Sequence, residues 1–128
     1  VITGEGNSGG ALALGVADTV LMLENAVYSI LSPEGFASIL WKNSSRSGEA
    51  CDLMKLTAED LLEQKVIDAI IPEPEGGAHM DVEAQMAAVD QALTAALNSL
   101  QKISDISIAG QRYKKFRAMG GNGYYDGN

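Results

Sequence analysis

The sequence predicts an α/β fold with a mainly parallel sheet, and two patterns support this prediction. Short continuous apolar runs, typical of buried strands, alternate with segments that carry helix-start signals. One long segment in the last third of the chain repeats apolar residues at intervals of three and four. Such alternation is typical of helices layered on a sheet.

Composition limits the class of protein. The 128 residues are 46% hydrophobic, enough for a buried core, and the net charge of −8 argues against a broad nucleic-acid or membrane surface. Four of the nine basic residues nevertheless lie between 112 and 117, where we expect a solvated helix face. No apolar run reaches the roughly 18 residues of a membrane span. One cysteine, Cys51, and one histidine give no metal-ligand spacing, and Cys51 is expected to be a small apolar residue.

The first part of the chain is predicted to form a strand, a turn, a helix and two more strands. Residues 1–3 are predicted to end a strand, and 4–10 to form a tight glycine turn. A short helix is predicted over 11–16, followed by strands over 19–23 and 26–31. Because the chain opens directly on apolar Val-Ile, we expect a fragment, with further structure upstream.

A second helix is predicted to begin at Ser32, with Ser32 as N-cap and Pro33 at the first helical position. It should carry the apolar residues Phe36, Ile39, Leu40 and Trp41. The polar residues 44–48 are predicted to be a loop.

The next helix is predicted to begin at Thr57, with Leu61 and Leu62 facing inward. A strand over 66–71, ended by prolines, should follow.

The last third is predicted to be helical from about residue 81. A helix over 81–101 has one apolar stripe that should be core or subunit contact, while its other face is rich in Ala and Gln. A further helix is predicted over 105–119, and 120–128 is expected to be a flexible tail. The stripe consists of Val82, Met86, Val89, Leu93, Leu97 and Leu100.

The glycine cluster at 4–10 fits three functional motifs. The first is G-x-G-x-x-G, with Glu24 about twenty residues on, where a dinucleotide-binding fold has its ribose-binding acid. Only about eight residues separate Gly10 from the next predicted strand. A helical crossover between parallel strands needs at least roughly 10–12 residues, so this connection is too short for one. The dinucleotide interpretation is therefore weak.

The second motif is G-x-S-x-G, the nucleophile elbow of serine hydrolases. Ser8 would need His79 as base, with Asp81 or Asp68 to orient it. We favour the simpler interpretations, in which Ser8 is a helix N-cap and His79 an exposed loop side chain.

The third interpretation is a backbone oxyanion hole. Paired glycines at a helix start let backbone N–H groups point outward without a Cβ in the way, and the helix dipole favours negative charge there. Such a site stabilises an oxyanion without a catalytic side chain. The alternative, that the turn needs glycine only for its backbone angles, stays open.

Several segments, taken in order, resemble a known family. They are residues 4–13 (Gly-Glu-Gly-Asn-Ser-Gly-Gly-Ala-Leu-Ala), 32–35 (Ser-Pro-Glu-Gly), 37–42 (Ala-Ser-Ile-Leu-Trp-Lys), 70–79 (Ile-Ile-Pro-Glu-Pro-Glu-Gly-Gly-Ala-His) and Arg112-Tyr113 with the basic residues that follow. Together they resemble the α subunit of bacterial-type acetyl-CoA carboxylase carboxyltransferases. Asn7 stands where many relatives have glycine, and asparagine tolerates left-handed backbone geometry.

The resemblance implies a ClpP/crotonase-like ββα superhelix, of which residues 1–119 would be the C-terminal part. It implies transfer of a carboxyl group from carboxybiotin, held by a biotin carboxyl carrier protein, to acetyl-CoA, which forms malonyl-CoA in the first committed step of fatty-acid synthesis. It also implies an α2β2 assembly with a β subunit that holds the zinc, and a location in the bacterial cytoplasm or in a plastid.

By the same resemblance, the backbone N–H groups of Gly9 and Gly10 would hold the ureido oxygen of biotin, and Gly6, Ser8 and Ala11 would contact substrate. No general-base side chain and no metal are expected from this chain. Two alternatives remain at this point: another crotonase-fold acyl-CoA enzyme, a hydratase or isomerase with Glu34 as its carboxylate, or a non-catalytic half of an assembly.

Overall fold

In the part of the chain that the structure describes, four three-residue strands form the centre of the fold: β1 (Glu5–Asn7), β2 (Leu21–Leu23), β3 (Val27–Ser29) and β4 (Ala69–Ile71). In the computed structural model, which describes residues 1–119, β1 pairs with β3 and β2 with β4, both in parallel. The predicted α/β class with parallel pairing is therefore confirmed. Within the described part of the chain, however, the strands form two separate two-stranded sheets instead of one.

The predicted strand over residues 1–3 is present only as a single bridge. The N–H of Ile2 donates to the Leu21 carbonyl at 2.8 Å, and the N–H of Leu23 donates to the Ile2 carbonyl at 2.9 Å. Ile2 thus lies beside β2, on the edge opposite β4. The strand predicted over 66–71 is likewise shorter, because residues 66–68 form a bend.

The hydrophobic core is built around β2 and the end of β4. Met22 and Ile71 are its largest fully buried side chains, with 0% and 1% exposure. All three residues of β2 are buried, as expected for a strand covered on both faces. The core cluster consists of Val20, Leu21, Met22, Leu23, Ala26, Ala58, Leu61, Ile67 and Ile71.

Within residues 1–119, six α-helices and one 3-10 turn surround the strands: α1 (Ser8–Leu14), α2 (Pro33–Trp41), the 3-10 turn (Ser44–Arg46), α3 (Ser47–Met54), α4 (Ala58–Glu63), α5 (Val82–Leu100) and α6 (Asp105–Ala118). None of these helices combines the length and hydropathy that a membrane span requires. The expected tail, 120–128, lies outside the described residues.

Three predicted helix starts are confirmed, because each has a local capping signal. The Ser32 hydroxyl accepts from the Gly35 N–H at 3.2 Å, and the Thr57 hydroxyl from the Asp60 N–H at 3.3 Å. The Asp81 carboxylate accepts from the Ala84 N–H at 2.9 Å. These bonds satisfy backbone donors that a helix start leaves unpaired.

The loop predicted over 44–48 is wrong, because its polar residues begin helices. The Asn43 side chain accepts from the Ser45 N–H at 3.1 Å and so opens the 3-10 turn. Arg46 then forms a two-bond ion pair with Glu49 in the first turn of α3, at 2.8 and 2.6 Å, and its guanidinium stacks 4.0 Å from the centre of the Trp41 ring. Polar composition alone did not distinguish these local bonds from a loop.

The prediction for the inner face of α5 is partly wrong. Ala88, Val89, Ala92 and Ala96 pack on the core, so the small-residue face turns inward. Four residues of the predicted stripe are 40% to 66% exposed and therefore do not belong to the core. For these four residues, only the interpretation as a subunit contact stays open. They are Val82, Met86, Leu93 and Leu97. Similarly, in α4 Leu61 is buried but Leu62 is 39% exposed.

Half of the basic cluster on α6 forms ion pairs instead of a solvated face. Arg112 pairs with Asp18 at 3.3 Å. The Lys115 ammonium bonds the Asp68 carboxylate and also donates to the Asp18 carbonyl at 3.1 Å. The same Asp68 carboxylate accepts from the Val20 N–H at 2.6 Å, at the entrance to β2. These bonds fasten α6 to the ends of the central strands.

Candidate functional site

The glycine-rich segment forms a strand, a one-residue turn and a helix. The predicted turn over 4–10 is wrong, because β1 occupies Glu5–Asn7. The helix predicted over 11–16 is present, but it begins earlier, at Ser8, and ends at Leu14. Ser8 makes the turn, with a left-handed φ of +60°, while Asn7 is extended at φ −138°. Ser8, and not Asn7, therefore has the left-handed backbone conformation, which is unusual for a residue with a Cβ.

The first turn of α1 leaves backbone donors free. Asn7 occupies the N-cap position but its side chain makes no capping bond to α1, so the interpretation of Ser8 as the N-cap is wrong. Within residues 1–119, neither the Gly9 nor the Gly10 N–H has a hydrogen-bond acceptor. A Cβ at either glycine would meet nothing within 4 Å, and both residues are exposed. The two N–H groups are thus available to an outside acceptor.

A mostly apolar cavity of about 390 Å³ lies beside this turn. Ser8 and Leu12 border it from α1, and Tyr28 and Ser29 from β3. Its other walls are Ile30, Phe36, Leu53, Met54, Leu61 and Val66. The cavity is therefore suited to a compact ligand with an apolar body and a polar edge near Ser8.

The predicted site residues divide between two sides of α1. Ser8 borders the apolar cavity, whereas Gly9 and Gly10 follow Ser8 in α1 and do not border that cavity. Gly6 and Ala11 instead border a second cavity, of about 320 Å³, which also includes Ile2. Substrate contact by Gly6 and Ala11 stays a prediction.

Gly6 has a clear packing role. A Cβ on Gly6 would lie 3.0 Å from Cδ2 of the Tyr28 ring and 3.2 Å from Cγ2 of Ile2. Gly6 is also paired with Tyr28 across the β1–β3 sheet. This glycine is thus required by the close approach of Tyr28.

Tyr28 is not among the site residues predicted from the sequence. Its hydroxyl donates to the Ala11 carbonyl at 3.2 Å, and its ring borders both cavities. A Cβ on Gly15 would collide with the same hydroxyl. Gly6 and Gly15, which lie before and after the small residues of α1, are the sequence signal that indicates a bulky neighbour such as Tyr28.

The serine-hydrolase arrangement is not assembled. His79 is exposed, as expected for a loop side chain, and borders a cavity of about 670 Å³ that does not include Ser8. Asp81 caps α5, and Asp68 is bonded to Lys115 and to the Val20 N–H. Asp81 and Asp68 therefore have other structural roles, and His79 borders a different cavity from Ser8.

The dinucleotide interpretation also finds no support. Glu24 accepts from the Glu73 N–H at 3.1 Å, so its carboxylate fastens a neighbouring loop. The helix that follows the glycines, α1, has only seven residues, too short for the predicted crossover.

Glu34 does not point to the hydratase or isomerase alternative. It is exposed in the first turn of α2 and does not border the apolar cavity. Cys51 lies on α3 and is exposed. Among residues 1–119, no three His, Cys, Asp or Glu side chains lie close enough to share a metal ion.

Glu73 is expected to make stability depend on pH in the acid range. The Asn25 N–H donates to the Glu73 carboxylate at 3.0 Å and lowers the pKa of Glu73 below the usual 4.5. Partial burial raises this pKa, whereas the Ala78 N–H and the His79 charge lower it further. A lowered pKa stabilises the fold fully above about pH 4.5, and this contribution is lost as the pH falls through the lowered value.

Urea unfolding between pH 3 and pH 7 measures this effect. We expect Glu73→Gln to flatten the acid limb of the stability curve, with Glu75→Gln, on an exposed neighbour, as the control. Equal slopes for Glu73→Gln and the unmodified chain would contradict the assignment.

Comparison with known proteins gives one consistent family. Residues 1–120 match the model of a family described as acetyl co-enzyme A carboxylase carboxyltransferase-like. The chain is 55% identical over 120 residues to the acetyl-coenzyme A carboxylase carboxyl transferase subunit alpha of Clostridium botulinum (strain Eklund 17B / Type B), covering 94% of this chain and 44% of that relative. The subunits of the same name from Thermus thermophilus and Listeria welshimeri are 51% and 48% identical, with 94% of this chain and 38% of each relative covered. The chain spans less than half the length of these relatives.

Proposed function

Because the chain belongs to the acetyl-CoA carboxylase carboxyltransferase-like family by its match over residues 1–120, we propose that it is part of a carboxyltransferase α subunit. The reaction would move a carboxyl group from carboxybiotin to acetyl-CoA and form malonyl-CoA. The crotonase-like fold and the assignment of this segment to the C-terminal part of such a subunit belong to the same proposal. The parallel pairing of β1–β3 and β2–β4 is consistent with that fold.

The pair of free N–H groups at Gly9 and Gly10 is the observation that carries the proposal. They lie at the start of α1, without acceptors among residues 1–119 and without a Cβ that would block an approaching oxygen. Backbone donors held in this way stabilise an oxygen on which negative charge develops. The helix dipole adds to the effect.

The residues present suit a biotin ring. A bicyclic urea has an apolar body, which would fit the apolar cavity bordered by Ser8, and a carbonyl oxygen, which would accept from the N–H groups of the two residues that follow Ser8. Carboxybiotin supplies the transferred carboxyl group when it is bound. Gly9 and Gly10 would bind the ureido oxygen, and Leu12 and Phe36 would exclude water from the ring.

Among the residues that the structure describes, no side chain at the apolar cavity can act as a general base. The described residues that border the apolar cavity include no carboxylate, histidine or lysine. We therefore propose that this chain contributes hydrogen-bond donation and substrate positioning, and that proton transfer does not use one of its side chains.

The partners belong to the proposal as well. The relatives are named alpha subunits, so we propose a β subunit in an α2β2 assembly and a biotin carrier protein, with a location in the bacterial cytoplasm or in a plastid. The exposed stripe on α5, which includes Met86 and Leu97, supports a subunit contact, because such residues are seldom left in water as a row.

Carboxyl transfer in the reverse direction tests the proposal. The full protein that contains this chain would be combined with a carboxyltransferase β subunit, and transfer from malonyl-CoA to a free biotin derivative would be measured. We expect activity that requires both proteins. A well-folded complex without transfer, but with hydration of an enoyl-CoA, would overturn the proposal in favour of the other acyl-CoA chemistry.

A further inference from the structure

We propose that Tyr28 is a positioning residue, which holds the first turn of α1 so that the Gly9 and Gly10 N–H groups keep their direction. This inference rests on the proposed function of those two N–H groups. It adds a side chain to a site that otherwise consists of backbone.

The helix α1 needs an outside support, because its own sequence gives little. It has seven residues, no buried residue, no acidic residue in its first turn and no side-chain cap. Isolated helices shorter than about 12–15 residues are marginal in water. Gly9 and Gly10 in the first turn lower the helix propensity further. The direction of the first turn must therefore be fixed by neighbours.

Tyr28 contacts this helix and the strand before it. Its hydroxyl bond to the Ala11 carbonyl is, within residues 1–119, the one hydrogen bond that joins α1 to a side chain. Its backbone is paired with Gly6, and its ring lies against Gly6. One residue thus links β1, β3 and α1.

The bonded carbonyl is well placed to control the glycine N–H groups. Ala11 directly follows Gly10, and its carbonyl accepts from both the Tyr28 hydroxyl and the Gly15 N–H, the latter at 2.9 Å. Fixing this carbonyl restrains the rotation of the turn that carries the Gly9 and Gly10 N–H groups. The hydroxyl therefore acts on the oxyanion donors through the backbone and without contact to the reacting atoms.

The matched test is Tyr28→Phe, which keeps the ring and removes only the hydroxyl. In the assembled protein we expect kcat of the reverse transfer to fall about fivefold, the effect of one neutral hydrogen bond, with KM for malonyl-CoA unchanged. We expect the N–H protons of Leu12 to Leu14 to exchange about fivefold faster by NMR. Introducing 4-aminophenylalanine at position 28, which retains a donor, should restore both.

The control is Tyr113→Phe on α6, where the side chain is 67% exposed; it should leave kcat and exchange unchanged. Unchanged exchange in α1 of Tyr28→Phe would overturn the inference, and so would a raised KM with an intact kcat, which would make Tyr28 a substrate contact. If the unmodified assembly transfers no carboxyl group, the proposed function fails, and the exchange rates alone decide whether Tyr28 holds α1.

Discussion

Replacing Gly10 by valine is expected to lower carboxyl transfer by about 10²–10³ while the assembly stays intact. A Cβ at Gly10 meets nothing within 4 Å, so the fold has room for the larger side chain. The added methyl groups would instead occupy the space in front of the Gly9 and Gly10 N–H groups. The substitution should thus lower carboxyl transfer without lowering the stability of the fold.

Two controls make the Gly10→Val result specific. Gly110 lies in α6, is exposed, and also has nothing within 4 Å of an added Cβ, so Gly110→Val makes the same chemical change away from α1. Ser8→Ala removes the hydroxyl that a hydrolase would need. Gly110→Val should retain full transfer activity, measured with malonyl-CoA and a biotin derivative. Ser8→Ala, at a predicted substrate contact, should retain kcat even where KM rises, because no chemical step uses the hydroxyl. Turnover that survives in Gly10→Val would show that the backbone N–H pair is not the oxyanion hole.

Gly15→Ala is expected to destabilise the protein by about 1–3 kcal/mol. The new Cβ would collide with the Tyr28 hydroxyl, which is held by the Ala11 carbonyl and cannot easily move away. Overpacking of a rigid neighbour forces either the ring or the end of α1 to shift. The midpoint of urea unfolding measures the change in the free energy of unfolding.

A second variant identifies the cause of this destabilisation. Tyr28→Phe in the Gly15→Ala background removes the colliding oxygen and should recover most of the lost stability, a non-additive result expected for residues in contact. Gly110→Ala is the matched control, and should stabilise α6 by up to about 1 kcal/mol because alanine favours helix over glycine. A Gly15→Ala protein as stable as the unmodified chain would contradict the close contact.

Sequence reasoning succeeded where the signal was local. Ser32, Thr57 and Asp81 each cap a helix through a bond to a residue three positions on, and each start was predicted. The position of Gly9 and Gly10 at a helix start also followed from neighbouring residues, although the turn itself is confined to Ser8.

Features that depend on distant parts of the chain were not predictable in this way. Which face of α5 packs inward depends on the space above β4, and the small alanines Ala88, Ala92 and Ala96 fit there better than the leucines do. Tyr28 meets Ala11 across 17 positions, and no periodicity indicates that bond. The strand β1 was missed because Glu5–Asn7 has no apolar pattern and is held by its pairing with β3.

The parallel pairing of β2 with β4 has a consequence for synthesis of the chain. Leu21 is paired with Ala69, so β2 cannot be covered until the intervening residues have been made. At roughly 5–20 residues per second, the ribosome needs on the order of several seconds for that stretch. During this time the apolar run Val20–Leu23 has no β4 to pair with, and such exposed strand edges are prone to aggregate. Nascent β2 should therefore be a preferred place for a chaperone to bind.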